Sequence, residues 1–367
     1  MNKFTKSARD IPLAQKENTF QKCFPIINTM HVLSSDNMML RSQLRLLVSA
    51  AYRINEKNTD FMISEMMNSG LLYRKNICTG NKTDILYLSK FAVGKITETP
   101  SANVPAISFS RKKIFENIFA AEYLITNVLP EMQGKFETNP ENIINFLRYN
   151  ASNLLIPSHQ LYYSDYFEYF KFTTDRLGIA LTEEFFYDWK AYYYDQLNFL
   201  KKSNPDLADL CETYKKDKQM RESICQTYLS DIERTKYTYS LANMMASRYY
   251  ITSLEENTVN LIHFDSLDNL ALEKLYLNLA GIVHMIDRYC KKELKINLTV
   301  YVWSQGRADN FYNQEDRRVF DYFTKTYKDT PRSDSFLANF GVRPSLWDNI
   351  NVSYLPCDIA NKYHVIP

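Results

Sequence analysis

Glycine is scarce in this chain, eight residues in 367, and none of them falls in a G-x-x-x-x-G-K or G-x-G-x-x-G run. Those two loops are the ones whose backbone amides cradle phosphate, so nucleotide-driven chemistry is not expected. The five histidines (His31, His159, His263, His284 and His364) are dispersed, without the cluster that would hold a cation beside a DNA-nicking tyrosine. The six cysteines form no C-x-x-C pair and no metal-ligand spacing with the histidines. They read as reduced thiols, and neither a metal nor a cofactor is expected. Long hydrophobic runs are missing too: the longest charge-free apolar stretch, LYLNLAGIVHMI, is about half the length that crosses a bilayer. The opening MNKFTKSARDIPLAQKENTF has no apolar core of a secretory signal, so the expected location is the cytoplasm, with no membrane partner. Finally, 44 basic and 42 acidic residues nearly cancel. Any attraction for a polyanion must therefore come from a local patch.

What is present divides the chain into parts. Residues 1–19 are polar and expected to be flexible, and TETPSANVPA, with two prolines, reads as a linker over 98–107. Residues 108–255 carry mostly helical periodicity. They include a segment with fifteen aromatic residues between Tyr162 and Phe199, whose interleaved carboxylates disfavour a polyanion. That segment suits a helical core or a homodimer or protein interface. Residues 256–367 change character: TVNLIHF (258–264), INLTVYVWS (296–304) and NINVSYL (349–355) are β-branched runs. Helix-patterned stretches separate them, the first from Leu267 to about Lys292 with Ser266 as its cap. Strand, helix, strand, helix, strand is the order of a parallel α/β unit with right-handed crossovers. The carboxyl ends of such strands would bring Asp265, Ser304, Arg307, Cys357 and Asp358 to one edge, where open α/β sheets place ligands. The fold class expected is α+β, mainly helical.

Residues 20–97 are the most informative. Phe24 to Val32 suits one helix. Ser34 or Ser35 can cap a second, DNMMLRSQLRLLVSAA, on which Leu40, Leu44 and Leu47 share one face and Arg41 and Arg45 another. Asn58 can cap a third, TDFMISEMMNS, ended by Gly70 in a left-handed conformation. LLYRKN and DILYLS then alternate as a hairpin around the polar tip ICTGNKT. From Arg41 to Ile96 nine basic residues face four acidic ones, a local excess of +5 in a nearly neutral chain. EMMNSGLLYRKN followed by ILYLSKFAVGKI resembles the "L..L...GL..R... Y.LT..G" pattern of winged-helix proteins, particularly the replication-relaxation group of plasmids and conjugative elements. About a fifth of the chain carries the resemblance. It implies a winged helix-turn-helix and a non-catalytic double-stranded DNA-binding role in replication, mobilisation or transcriptional control of a mobile element. Arg41 and Arg45 would then sit on phosphates, and Lys57, Asn58 and Thr59 would lie near the bases. Arg74, Lys75 and Lys82 would anchor the wing. The third helix departs from the usual base-reading composition, since it carries Asp60 and Glu65. A platform for docking protein is the competing expectation.

Overall fold

The computed structural model describes residues 11–77, 83–132, 139–150, 244, 247–255, 257–272, 274–276, 278–279, 282–283, 295–324 and 349–365. The tyrosine-rich segment, with the dimer surface expected of it, lies outside these residues, as does Lys82. Helices and sheets are both present, and the class is α+β.

The N-terminal part begins with α1 (Leu13–Lys22) and α2 (Phe24–Val32). The expectation of a flexible N-terminus is thus corrected from residue 13 onward. Its polar composition hid a helix that is exposed on most sides and fastened by Phe20, which is buried, and by the pairs Lys22–Glu65 and Glu17–Lys95.

A second correction follows. Met38–Leu40 is a short strand, β1, and the next helix, α3, starts only at Arg41 (Arg41–Tyr52). Three consecutive apolar residues are buried in β1 because they fill the open side of a central strand. Ser34 therefore caps no helix; its hydroxyl accepts the Met38 N–H at 2.9 Å and fixes the turn into β1. Along α3, Leu44, Leu47, Val48 and Ala51 form the buried stripe that a 3.6-residue period dictates.

Helix α4 (Glu56–Asn68) is capped by Asn55, whose side chain accepts the Asn58 N–H at 2.9 Å. Asn58 is thus inside the first turn and not the cap. The helix ends as expected on Gly70 at φ 70°. Leu71 N–H reaches the Met66 carbonyl (2.9 Å) and Gly70 N–H that of Met67 (3.3 Å), which is the paired bonding of a Schellman stop. Strands β2 (Leu72–Asn76) and β3 (Asp84–Leu88) pair antiparallel, and β3 lies between β1 and β2 in the sheet. Helix α5 (Lys90–Ile96) follows, capped by Ser89.

Helix α6 (Arg111–Tyr123) joins the two sheets into one core. On one side Gln43 of α3 donates to the Ile118 carbonyl at 2.8 Å. On the other, Phe115 and Phe119 stand edge-on to Trp303, at 5.2 and 5.1 Å. A π-helical turn (Leu124–Val128) and α7 (Pro140–Asn150) complete the described part of the middle region.

The second sheet has the order β4-β5-β6-β7. Strands β5 (Thr258–Phe264), β6 (Lys295–Val302) and β7 (Ile350–Pro356) are parallel, in agreement with the sequence pattern. Strand β4 (Tyr249–Glu255) is antiparallel at the edge, so the region read as helical to residue 255 ends in a strand. Residues 266–268 form a turn and Leu272 is the first helical residue after β5, so Ser266 is not a helix cap. Helix α8 (Gln305–Thr324) packs on β7, with Phe311 stacked on Tyr354 at 4.6 Å. The short α9 (Ile359–Tyr363) returns to α6, where the buried Glu122 carboxylate accepts from Lys362 Nζ (2.7 Å) and the Tyr363 hydroxyl.

His263 on β5 gives the fold a pH dependence. It is buried, stacks on the Tyr249 ring at 4.4 Å, and donates Nδ1–H to the Arg248 carbonyl at 2.9 Å. Burial, opposed by that backbone bond, pulls its pKa from 6.5 down to about 4. The depressed value means that the unfolded chain takes up this proton first. The contribution of a neutral His263 is full above 6.5 and is lost as pH falls towards 4. Thermal melting between pH 7 and 4.5 should therefore show a midpoint that falls less steeply in His263→Gln than in the parent; parallel curves would contradict it.

Candidate nucleic-acid interface

Helices α3 and α4 bring together the two groups that the sequence singled out. Arg41 and Arg45, one turn apart on α3, both reach across to Asp60 on α4. Arg41 Nε and Arg45 Nε each donate to Asp60 Oδ1 at 2.8 Å, and Arg45 Nη2 bonds Oδ2. Partial burial alone would raise the Asp60 pKa, but the bonds from Arg45 and Arg41 outweigh it and hold the carboxyl below its usual range. Arg45 also lies 3.9 Å from Glu56. The arginines are therefore not free cations but a buttressed pair. Arg41, about half exposed, directs Nε at Asp60.

Glu65, the last carboxylate of α4, has a different partner. Lys22 of α1 donates to Glu65 at 2.9 Å and lies 5.1 Å from the centre of the Phe61 ring. Asp60 thus lies beside the exposed face of α4 and Glu65 between Phe61 and Asn58 on it, each tied to basic partners.

What remains on that face follows from the helical period. Thr59, Met62, Ile63 and Met66 are buried. Thr59 points into the core, its hydroxyl donating to the Asn55 carbonyl at 3.1 Å, and is withdrawn as a base contact. Lys57 and Asn58 are exposed, as expected, and Phe61, Ser64 and Asn68 are exposed with them. Sequence reading passed over these last three residues. The signal was available in the complement of the apolar positions, since 57, 61, 64 and 68 repeat at four- and three-residue steps. Asn55 rather than Asn58 as the cap sets that register.

The hairpin carries its own cations. Arg74 is 65% exposed and reaches Asp84 of β3 only at 3.4 Å, a weak cross-strand pair. Lys75, also exposed, lies over the Phe109 ring at 4.3 Å. At the tip, Lys82 and residues 78–81 fall outside the described residues.

At the carboxyl edge of the second sheet the outcome differs. Asp265 and Arg307 do meet, but as a structural pair. Asp265 Oδ1 accepts from Asn269 N–H (3.0 Å) and Leu270 N–H (2.9 Å), and Oδ2 accepts from Arg307 Nε (2.9 Å). Arg307 Nη2 donates to the Leu270 carbonyl at 2.9 Å. Ser304 caps α8, accepting the Arg307 N–H at 3.2 Å. Exposed Asp358 stands apart and accepts from Asn361 Nδ2 at 2.6 Å. Burial, reinforced by the charge of Glu122, pushes the Cys357 thiol up to about 12, so it stays protonated. Arg307 Nε also lies 3.2 Å from Asp268, and among the described residues the pair holds the turn after β5 in place.

Among the described residues no group of three or more His, Cys, Asp or Glu is placed to hold a metal ion, and no helix is long and apolar enough to cross a membrane. The chain matches no protein-family model, no curated protein and no solved structure.

Proposed function

We propose that residues 24–88 act as a winged helix that binds duplex DNA, with α4 in the major groove and the β2–β3 hairpin as the wing. One observation carries the reading. Of the three carboxylates of α4, Asp60 pairs with Arg41 and Arg45, Glu65 pairs with Lys22, and exposed Glu56 at the helix start lies 3.9 Å from Arg45, while Lys57, Asn58, Phe61, Ser64 and Asn68 are outward. The acidic residues that seemed to argue against a polyanion thus serve to aim basic ones. The element order supports it as well: helix, strand, helix, helix, then two strands, with β3 central in the sheet. Arg41, Arg45, Arg74 and Lys75 supply the phosphate grip, and Lys82 adds to it at the wing tip. The setting in a mobile genetic element, without catalysis, rests on the sequence resemblance of residues 20–96 alone.

A mobility-shift titration of the full chain tests the reading, with a 20-base-pair duplex of mixed sequence compared with either of its single strands. The expected result is tighter retention of the duplex, because a helix-in-groove mode needs a groove of fixed width. Equal retention of both, or of neither, overturns it.

One observation favours a second reading, a protein-docking platform. Leu13 (59%), Phe24 (40%) and Phe61 (58%) are exposed apolar side chains on α1, α2 and α4. A chain of about twice the monomer mass in solution, reduced to monomer by Phe24→Ser with Phe61→Ser, would support that alternative.

A further inference from the structure

We propose that the outer face of α4 selects A·T base pairs, with Phe61 against a thymine methyl and Asn58 and Asn68 forked onto adenines. The inference rests on the duplex reading above and names what that site recognises. From Lys57 to Asn68 the face runs about 17 Å along the helix, enough to face about five base pairs at 3.4 Å each.

The side chains on it are a restricted set. Arginine, the commonest reader of guanine, is absent from α4, and Lys57 in the first turn is the one group there suited to guanine O6 and N7. Cytosine is read by a carboxylate that accepts from N4. Here Asp60 and Glu65 are held by Arg41, Arg45 and Lys22, and Glu56, 3.9 Å from Arg45, falls by the helical period away from the face of Lys57, Phe61, Ser64 and Asn68. The two asparagines suit the N6 and N7 pair of adenine. Ser64 donates its proton to the Asp60 carbonyl at 2.8 Å, so towards the groove it acts as an acceptor, which suits adenine N6 and cytosine N4 alike and leaves the choice to Phe61 and the asparagines.

Phe61 is the strongest pointer. A phenyl ring 58% exposed on the centre of this face gains by covering apolar surface on whatever the helix docks against. The thymine methyl is the apolar group that the floor of the major groove offers. Lys22 near the ring does not spoil this, because its charge is balanced by Glu65 at 2.9 Å.

The test is iterative selection from a random-sequence duplex pool by the full-length protein, followed by sequencing. An enriched core of A·T pairs with invariant thymines is expected. Affinity for that selected duplex should then fall about fourfold for each contacted thymine replaced by uracil, the loss of one buried methyl. Phe61→Ala should bind the thymine and uracil versions alike, and Asn68→Ala should lose about fivefold or more in preference for the selected core. Retention of the pool with a G·C core, or with no enrichment, overturns the base preference and leaves duplex binding standing. Failure to retain any duplex overturns both. Both variants change exposed side chains, so their melting midpoints should match that of the parent.

Discussion

Replacing Arg41 and Arg45 together by glutamine is expected to weaken binding to every duplex alike and to flatten its salt dependence. Each phosphate contact contributes about 0.9 to the slope of log K against log salt, so two lost contacts reduce it by about 1.8. Between 50 and 200 mM salt the parent should therefore lose about twelvefold more affinity than the variant. The change is uniform because these side chains sit on α3, beside the helix proposed to read bases, and address the backbone. Asp60 is the reason to choose glutamine over charge reversal. Two glutamates opposite it would set three carboxylates together, and a folding defect would then be mistaken for a binding one. With glutamine the cost to stability is moderate: Arg41 is about half exposed, Arg45 and Asp60 are under a third exposed, and exposed pairs contribute about 0.2–1 kcal/mol each. A melting curve close to that of the parent, combined with an unchanged salt slope, would remove these arginines from the interface.

The second large effect concerns stability and lies far from that interface. Asp265→Ala is expected to cost about 3 kcal/mol, because the Asn269 and Leu270 N–H groups lose their acceptor and Arg307 keeps only Asp268, at 3.2 Å, of its two carboxylates. The residue is 2% exposed, and its two oxygens receive three donors from the turn after β5 and from α8. A double variant, Asp265→Ala with Arg307→Met, should recover little of the loss, since Arg307 keeps Asp268 in the single variant and the two N–H groups lack an acceptor in both. Urea unfolding of the three proteins measures this. A loss below about 1 kcal/mol in the single variant would mean that the buried pair matters little.

Several parts of this fold were legible in the sequence because they obey one short-range rule. The parallel strands β5, β6 and β7 announced themselves as β-branched runs, and Gly70 as the left-handed stop of α4. What stayed hidden depended on partners distant in sequence. Met38–Leu40 continues the apolar pattern of α3 and becomes a strand only because β3, nearly fifty residues on, has an open side to fill. The helix α1 shows no clear apolar stripe, since its hold comes from Phe20 and from ion pairs to α4 and α5.

The same distinction governs the site. Lys57, Asn58, Arg41, Arg45, Arg74 and Lys75 could be nominated from charge and position. That Asp60 and Glu65 are neutralised by neighbours could not be read from the sequence, and it reverses their meaning. At the second sheet, Asp265 and Arg307 were grouped by topology. Only their bonding shows that Asp265, with Asp268 beside it, ties Arg307 to the turn after β5, a structural role that topology alone does not reveal.

The most direct test of the account is the salt dependence of duplex binding by the full-length protein, followed by fluorescence anisotropy on a labelled random-sequence duplex. With Arg41, Arg45, Arg74 and Lys75 on phosphates the slope of log K against log salt should be about −3.6 or steeper. A slope near zero, or no binding at low salt, would contradict the assignment of α3, α4 and the hairpin as a grip on DNA.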